Sequence, residues 1–66
     1  MSVAKVIEIS SSSTKGFEDA VHSGIAKASE SVHGIEGAWV KEQKVVVADN
    51  KVIEYRVNLS ITFTVD

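Results

Sequence analysis

The stretch GAWVKEQKVVVADNKVIEYRVNLSITFTV, residues 37–65, decides the fold because it is typical of two long β-strands joined by a tight turn. Apolar β-branched and aromatic side chains alternate with polar ones on both sides of Asp49-Asn50. Both turn residues tolerate the positive φ angles that a two-residue hairpin turn requires. We therefore predict an antiparallel hairpin whose strands run from about residue 36 to 48 and from about residue 51 to 65.

A two-residue turn also predicts the register, because Ala48 then pairs with Lys51 and all paired residue numbers sum to 99. The expected pairs include Lys44 with Tyr55, Gln43 with Arg56, and Trp39 with Ser60. The predicted core face carries Ile53, Tyr55, Val57, Leu59, Ile61, Phe63 and Val65 with Val40 and Val46. The predicted polar face carries Arg56, Asn58, Ser60, Thr62 and Thr64 with Trp39, Lys41, Gln43, Val45 and Val47.

The N-terminal half predicts one strand followed by one amphipathic helix. Residues 3–9 are rich in β-branched side chains and favour a strand, and the serine-rich residues 10–14 favour a loop. Ser13 is the expected helix N-cap, and Gly34 the expected stop. Between them, residues 14–32 carry an apolar stripe of Phe17, Ala20, Val21, Gly24, Ile25, Ala28 and Val32. Gly24 on this stripe allows the helix to approach a sheet closely.

The order β-α-β-β predicts an α+β fold in which a three-stranded antiparallel sheet, ordered 1-3-2, wraps around one helix. The last strand is central, and its residues 51–65 span roughly 50 Å. The predicted helix, residues 14–32, spans only roughly 28 Å. One helix cannot cover such a sheet, so we expect the remaining apolar surface to meet other copies in a closed homo-oligomer.

The composition describes one domain, residues 1–66, with seven basic and nine acidic residues, a net charge of −2 and no cysteine. A chain this short is marginally stable alone, and without disulfides or thiolate metal sites oligomerisation is the expected stabilising device. The charge argues against nucleic acid as a partner. The chain has no apolar run of the roughly 20 residues that span a membrane, and residues 1–5 lack a signal-peptide core. We therefore predict a cytoplasmic protein without membrane contact.

Catalytic chemistry is not predicted, because the sequence offers no convergent set of nucleophile, base and orienting group. Glu42 and Glu54 alternate to opposite faces of the predicted hairpin, which argues against catalysis by a carboxylate pair. His22 and His33 are too far apart for a recognisable zinc site. The two turn residues offer oxygen ligands for a hard cation, but turn formation explains them equally well. We predict no catalytic residue and no metal site.

One group of side chains on the predicted polar face suits a ligand: Trp39, Gln43, Arg56 and Asn58. An indole stacks on planar heteroaromatic rings, an amide both donates and accepts hydrogen bonds, and a guanidinium holds anions. Tryptophan and arginine are also favoured at protein interfaces. The residues alone therefore leave two interpretations open, a flat hydrogen-bonding ligand or a contact between subunits.

Nearly all of the chain matches one known family in order, spacing and length, without gaps. The matching segments are KVIEI (5–9), the serine-rich turn with Gly16, AKA (26–28), WVKEQ (39–43), YRVNL (55–59) and Phe63. On these segments the chain resembles the dodecins. The resemblance implies a hollow homododecamer that binds flavins such as riboflavin, FMN or lumichrome at subunit contacts, for storage, sequestration or light-quenching.

The resemblance also implies roles for individual residues. It places Gly37 where the family has a stacking tryptophan, Arg56 where it has a ring-binding glutamine, and Lys44 at a basic position facing the FMN phosphate. Trp39 lies two residues along the same face from Gly37 and can reach a ring in a different pose, with Gln43 supplying the amide. The candidate flavin-binding residues are therefore Trp39, Gln43, Arg56, Gly37 and Lys44.

The expected function is a non-catalytic, dodecameric binding or storage protein for a flavin-like ligand. The pairs Glu42-Gln43 and Tyr55-Arg56 also resemble the calcium-binding branch of the family, which lacks the stacking tryptophan. The alternative function is a shell of the same fold that binds no flavin, but a cation or another small metabolite. Trp39 is then an interface residue.

Overall fold

Residues 3–65 are described by a computed structural model, in which three strands form one antiparallel sheet beside a single helix. The elements in chain order are β1 (Val3–Ser13), α1 (Phe17–Ala28), β2 (Ile35–Ala48) and β3 (Lys51–Val65). The sheet order is β1-β3-β2, and both pairings are antiparallel, so the predicted topology is confirmed. Residues 1, 2 and 66, which the expected single domain includes, lie outside the described part.

The hairpin turn forms as its two residues predict. Asp49 and Asn50 have φ angles of 53° and 61°, which are the left-handed values that a two-residue turn requires. Ala48 pairs with Lys51 across the turn, and Trp39 pairs with Ser60 farther along. Both of these expected pairs are confirmed.

The register between these two points differs from the prediction because two β-bulges interrupt the hairpin. The pairing shifts between Val46 and Val47, where Ile53 of β3 is left without a partner, and shifts back around Lys41 of β2. Between the bulges the paired residue numbers sum to 100 rather than 99. The predicted pairs of Lys44 with Tyr55 and of Gln43 with Arg56 are therefore wrong. The observed pairs are Lys44 with Arg56, Gln43 with Val57, and Val45 with Tyr55.

The serine-rich segment is strand rather than loop, because β1 continues along β3 as far as the pair of Ser13 with Tyr55. The helix N-cap is Gly16, not Ser13. Ser13 still organises the turn, since its Oγ accepts hydrogen bonds from the backbone N–H groups of Lys15 (2.9 Å) and Gly16 (3.4 Å). The same hydroxyl donates to Asp19 Oδ2 at 2.6 Å, which ties the strand end to the first helical turn.

The helix is shorter than predicted at both ends. It ends at Ala28, and tight turns follow in which the N–H groups of Glu30 and Ser31 donate to carbonyls three residues earlier. Gly34 has a φ of 74°, but it lies in the connection to β2, where its carbonyl accepts a hydrogen bond from the N–H of Thr64. The predicted stop at Gly34 is therefore wrong, because the helix ends before it.

The core lies where α1 packs on β1 and β3. Its fully buried members are Ala20, Val57, Leu59 and Ile61. Gly24 makes the close approach that its place on the apolar stripe predicts, since a Cβ there would lie 2.9 Å from Ser11 Cβ and 3.1 Å from Leu59 Cδ1. The predicted core face is wrong at its ends, because Ile53 and Val65 are exposed. It is also wrong on β2, where Val40 is exposed and Val46 pairs with Glu54 on the face away from the helix.

The sheet is much longer than the helix, as the sequence predicts. The molecule extends 52 Å along its longest axis. The helix Phe17–Ala28 spans only about 18 Å. Because α1 packs mainly on β1 and β3, the far part of the hairpin has no helix over it. This leaves apolar side chains of β2 and of the start of β3 in contact with solvent.

Candidate functional site

The candidate site lies on the face of the sheet opposite α1, which we call the open face. Val57, Leu59 and Ile61 are buried beneath the helix, so the alternate residues of β3 point to the other side. Cross-strand partners share a face, and their pairing arranges the open face in rows across β1, β3 and β2. The rows are Ser12–Arg56–Lys44, Ser10–Asn58–Glu42, Glu8–Ser60–Trp39 and Val6–Thr62–Gly37.

The bulges decide which candidate residues meet on this face. Lys44 pairs with Arg56, so two cationic side chains are neighbours in one row. Gln43 pairs with Val57, whose side chain is buried under the helix, so the side chain of Gln43 belongs to the helix side. The structure thus brings Trp39, Gly37, Arg56 and Lys44 onto one face and separates Gln43 from them.

A polar depression of about 520 Å³ occupies one end of the open face. Its open-face lining consists of Ser10, Ser12, Glu42, Lys44, Arg56 and Asn58, and Ser11 and Gln43 complete it along the strands. A hydrogen-bond chain crosses all three strands here, because Ser10 Oγ donates to Asn58 Oδ1 at 2.6 Å and Asn58 Nδ2 donates to Glu42 Oε1 at 3.2 Å. The depression therefore offers organised donors and acceptors to a polar ligand.

The charges in the depression are partly paired within the chain. Arg56 Nε donates to Glu54 Oε1, which leaves the two Nη groups of the guanidinium for other partners. Glu54 therefore shares the open face with Glu42, contrary to the prediction that they lie on opposite faces. Each of these carboxylates accepts a hydrogen bond, one from Arg56 and one from Asn58. Among residues 3–65, no serine or threonine hydroxyl donates a hydrogen bond to either carboxylate.

An ion pair crosses the middle of the open face. Lys41 is the extra residue of the β2 bulge, and its Nζ lies 3.2 Å from Glu8 Oε1 on β1. Because β3 lies between β1 and β2, the side chains of this pair reach across β3 near Ser60. A shallow cavity of about 270 Å³ lies beside the pair and is lined by Glu8, Ile9, Ser10, Lys41, Glu42 and Asn58.

The other end of the open face is flat and holds the tryptophan. Trp39 is 70% exposed, although it is the largest apolar side chain of the molecule. Gly37 lies two residues away on the same face, and a Cβ built on it would meet no atom within 4 Å. An uncovered indole beside an open glycine is a surface on which a planar group can lie.

Two further findings concern metal and membrane. Among residues 3–65, no three or more histidine, aspartate or glutamate side chains come close enough together to hold a metal ion. Within the same part of the chain, the helix is neither long nor apolar enough to span a bilayer.

Comparison with known proteins identifies the family. The family model described as Dodecin matches residues 3–66, which is nearly the whole chain. The chain belongs to the dodecin family. A curated relative, the calcium dodecin of Mycobacterium tuberculosis, is 38% identical over 63 residues that cover 96% of this chain and 89% of the relative.

Solved dodecin structures share the whole fold. A point mutant of the Thermus thermophilus dodecin superposes with a TM-score of 0.94 at 27% identity, over 100% of this chain and 98% of that one. The dodecin of Streptomyces davaonensis gives the same TM-score at 25% identity, with 98% and 96% of the two chains covered. The M. tuberculosis calcium dodecin, whose structure is described as having a calcium-binding site, gives 0.84 at 34% identity, with 97% and 91% covered.

Sequence reasoning missed several residues of the open face of this dodecin-family chain. The serine-rich composition predicts a loop at Ser10 and Ser12, although the alternation of Glu8, Ser10 and Ser12 continues the pattern of a strand. The link from Lys41 to Glu8 had no signal in the sequence, because it depends on the bulge and on the crossing of β3. Glu42 and Lys44 also reach the open face only through the bulges, whereas the β3 residues of this face follow from simple alternation.

Proposed function

We propose that this dodecin-family chain is a non-catalytic binding and storage protein that assembles as a homododecamer and takes up a planar, flavin-like ligand. The observation that carries the proposal is the 70% exposed Trp39 beside the open surface over Gly37. Tryptophan is enriched at protein interfaces and offers a stacking surface to planar rings, so another subunit and a ligand are its two expected covers. In an assembly whose ligands lie between subunits, the ligand and the neighbouring subunit together cover Trp39.

The ring of the ligand fits the flat end of the open face. Gly37 and Trp39 are two positions apart on one strand, or about 6.6 Å. A tricyclic ring that lies over Gly37 therefore meets the indole of Trp39 at its side or, after a change of rotamer, at its face. The hydroxyls of Ser60 and Thr62, which pair with these two residues, offer hydrogen bonds to the polar edge of the ring.

Of the remaining candidate residues, Lys44 and Arg56 fit a role in ligand binding and Gln43 does not. Lys44 and Arg56 place positive charge in one row at the far end of the open face, where they attract a ligand with an acidic group. Gln43 does not fit the role of a ring-binding amide, because its side chain belongs to the helix side of the sheet. We propose Trp39 and Gly37 for contact with the ring, and Lys44 and Arg56 for electrostatic attraction.

The assembly is supported by the apolar surface that α1 leaves uncovered. The exposed fractions of Val47, Val52 and Ile53 are 55%, 48% and 49%, and Val40 and Val45 are each 39% exposed. These side chains gather on β2 and near the hairpin turn, beyond the reach of the helix. Their burial between copies supplies the stability that a single domain of this size lacks.

The alternative function is supported by the 38% identity with a protein named calcium dodecin. The open face carries hard oxygen ligands on Glu8, Glu42 and Asn58, which suit Ca²⁺. Residues 3–65 form no cluster of three or more such acidic or histidine side chains on their own, so a second copy would have to complete the coordination. In this case Trp39 is an interface residue and no flavin binds.

Size-exclusion chromatography with light scattering, in the presence of riboflavin, tests both the assembly and the ligand. We expect a mass near twelve chains of 7.1 kDa each, about 85 kDa, with yellow ligand in the same peak. Riboflavin released from that peak should be chemically unchanged, as storage requires. A colourless peak of the same mass that binds Ca²⁺ would favour the alternative, and a stable monomer would contradict the assembly.

A further inference from the structure

The ion pair between Lys41 and Glu8 divides the open face into two parts. On one side lie Trp39 and Gly37, and on the other side lies the polar depression that contains Lys44 and Arg56. The pair spans from β2 to β1, with Lys41 Nζ 3.2 Å from Glu8 Oε1. The side chains are 43% and 62% exposed, so they lie above the sheet rather than within it.

We propose that this pair acts as a strap that determines ligand specificity, so that the site at Trp39 prefers a compact planar ring to a ring with a long polar chain. The inference rests on the proposed function, because it concerns the ligand that lies over Trp39 and Gly37. Glu8 lies in the row of Trp39 and Ser60, so the strap borders the place of the ring. It acts on whatever extends from the ring toward the depression.

Distance along the sheet makes the strap an obstacle. The row of Trp39 and the row of Lys44 are separated by four residues of β3, about 13 Å. A ribityl phosphate chain that leaves the ring in this direction must cross the strap before it reaches Lys44 and Arg56. The chain must either separate Lys41 from Glu8 or bind without contacting Lys44 and Arg56.

The bulge explains why the side chain of Lys41 can form the strap with Glu8. As the unpaired residue of the bulge, Lys41 has no cross-strand partner on β3, while its neighbour Glu42 pairs with Asn58. A bulge places both of its residues toward one face, which a regular strand does not do. Lys41 and Glu42 therefore both lie on the open face, Lys41 in the strap and Glu42 in the lining of the depression.

The electrostatic contribution of such an exposed ion pair is small. Parting it changes a dissociation constant by about 1.5- to 5-fold. The dissociation constant of lumichrome, which is the ring without a chain, should not depend on the ion pair, whereas those of riboflavin and FMN should. We therefore expect wild-type protein to bind lumichrome more tightly than FMN, by a ratio that depends on the strap.

The test compares the dissociation constants of lumichrome, riboflavin and FMN for wild type, Lys41→Met and Glu8→Gln. Both substitutions open the strap, so binding of riboflavin should tighten about 1.5- to 5-fold in each while binding of lumichrome stays unchanged. FMN should gain more from Glu8→Gln than from Lys41→Met, because only Glu8→Gln leaves a free ammonium group for the phosphate. A merely structural effect of the ion pair would not separate the two variants in this way.

Two controls keep the outcome clear. Lys41→Arg preserves the ion pair and should retain the wild-type ratios. Lys27→Met removes a more exposed pair with Glu30 on the helix and should change nothing. Unchanged ratios in both strap variants, with lumichrome still bound, overturn the strap and leave the proposed function intact. Failure of all three ligands to bind wild type overturns both.

Discussion

Replacing Leu59 by alanine is expected to lower the free energy of unfolding by about 2–5 kcal/mol. Leu59 is fully buried near the middle of β3, and its Cδ1 lies 3.1 Å from the position that a Cβ on Gly24 of α1 would occupy. The loss combines the transfer free energy of the removed methyl groups with the cavity that α1 cannot close. A domain of this size has about 3–10 kcal/mol in total, so the loss is a large fraction of its stability.

Urea denaturation at one fixed protein concentration measures this effect, because stability and assembly are linked through concentration. Val3→Ala is a suitable control, since Val3 is 62% exposed and its truncation should cost less than about 0.5 kcal/mol. Equal losses in the two variants would contradict the assignment of Leu59 to the core. An intact assembly with a lower midpoint for Leu59→Ala would agree with it.

Replacing Trp39 by alanine is expected to weaken binding of a planar ligand about 5- to 150-fold, because stacking on an aromatic side chain contributes roughly 1–3 kcal/mol. Gly37 cannot replace the lost contact, since it has no side chain, and Gln43 belongs to the other side of the sheet. Trp39→Phe should retain much of the affinity, because a smaller ring remains. The measurement is the dissociation constant of riboflavin, read from flavin fluorescence.

The same variant separates the two interpretations of Trp39. In the ligand interpretation, Trp39→Ala keeps its assembly and loses affinity. In the interface interpretation, the variant dissociates on size exclusion, whether or not ligand is present. Val3→Ala is a suitable control, since Val3 is a 62% exposed apolar residue outside both the open-face rows and the apolar surface proposed for assembly, and it should change neither affinity nor assembly.

The overall fold could be predicted from the sequence because its strongest signals are local. The turn Asp49-Asn50 and the alternation on either side of it predict the hairpin, and short connections then place β3 at the centre of the sheet. The limits of the helix were harder to predict. Apolar residues continue at intervals of three and four as far as Val32. This spacing does not indicate where packing against the sheet stops, and the helix ends at Ala28.

The register of the hairpin could not be predicted throughout, since a bulge leaves no reliable mark on a regular alternation. Two bulges at Ile53 and Lys41 compensate each other. They preserve the pairs on either side of them, such as Ala48 with Lys51 and Trp39 with Ser60, and shift the pairs between them. The consequence for the site is direct, because Gln43 leaves the open face and Glu42 enters it. A prediction that treats the strand as regular therefore exchanges these two residues.

The most direct test of the central claim is a titration of wild-type protein with riboflavin, followed through the emission of Trp39. Trp39 is the only tryptophan of the chain, so a change in its emission reports on the proposed site alone. We predict saturable quenching of both the indole and the flavin at micromolar ligand. Tryptophan emission that stays unchanged, with the assembly intact, would contradict the claim that the open face of this dodecin-family chain binds a planar ring.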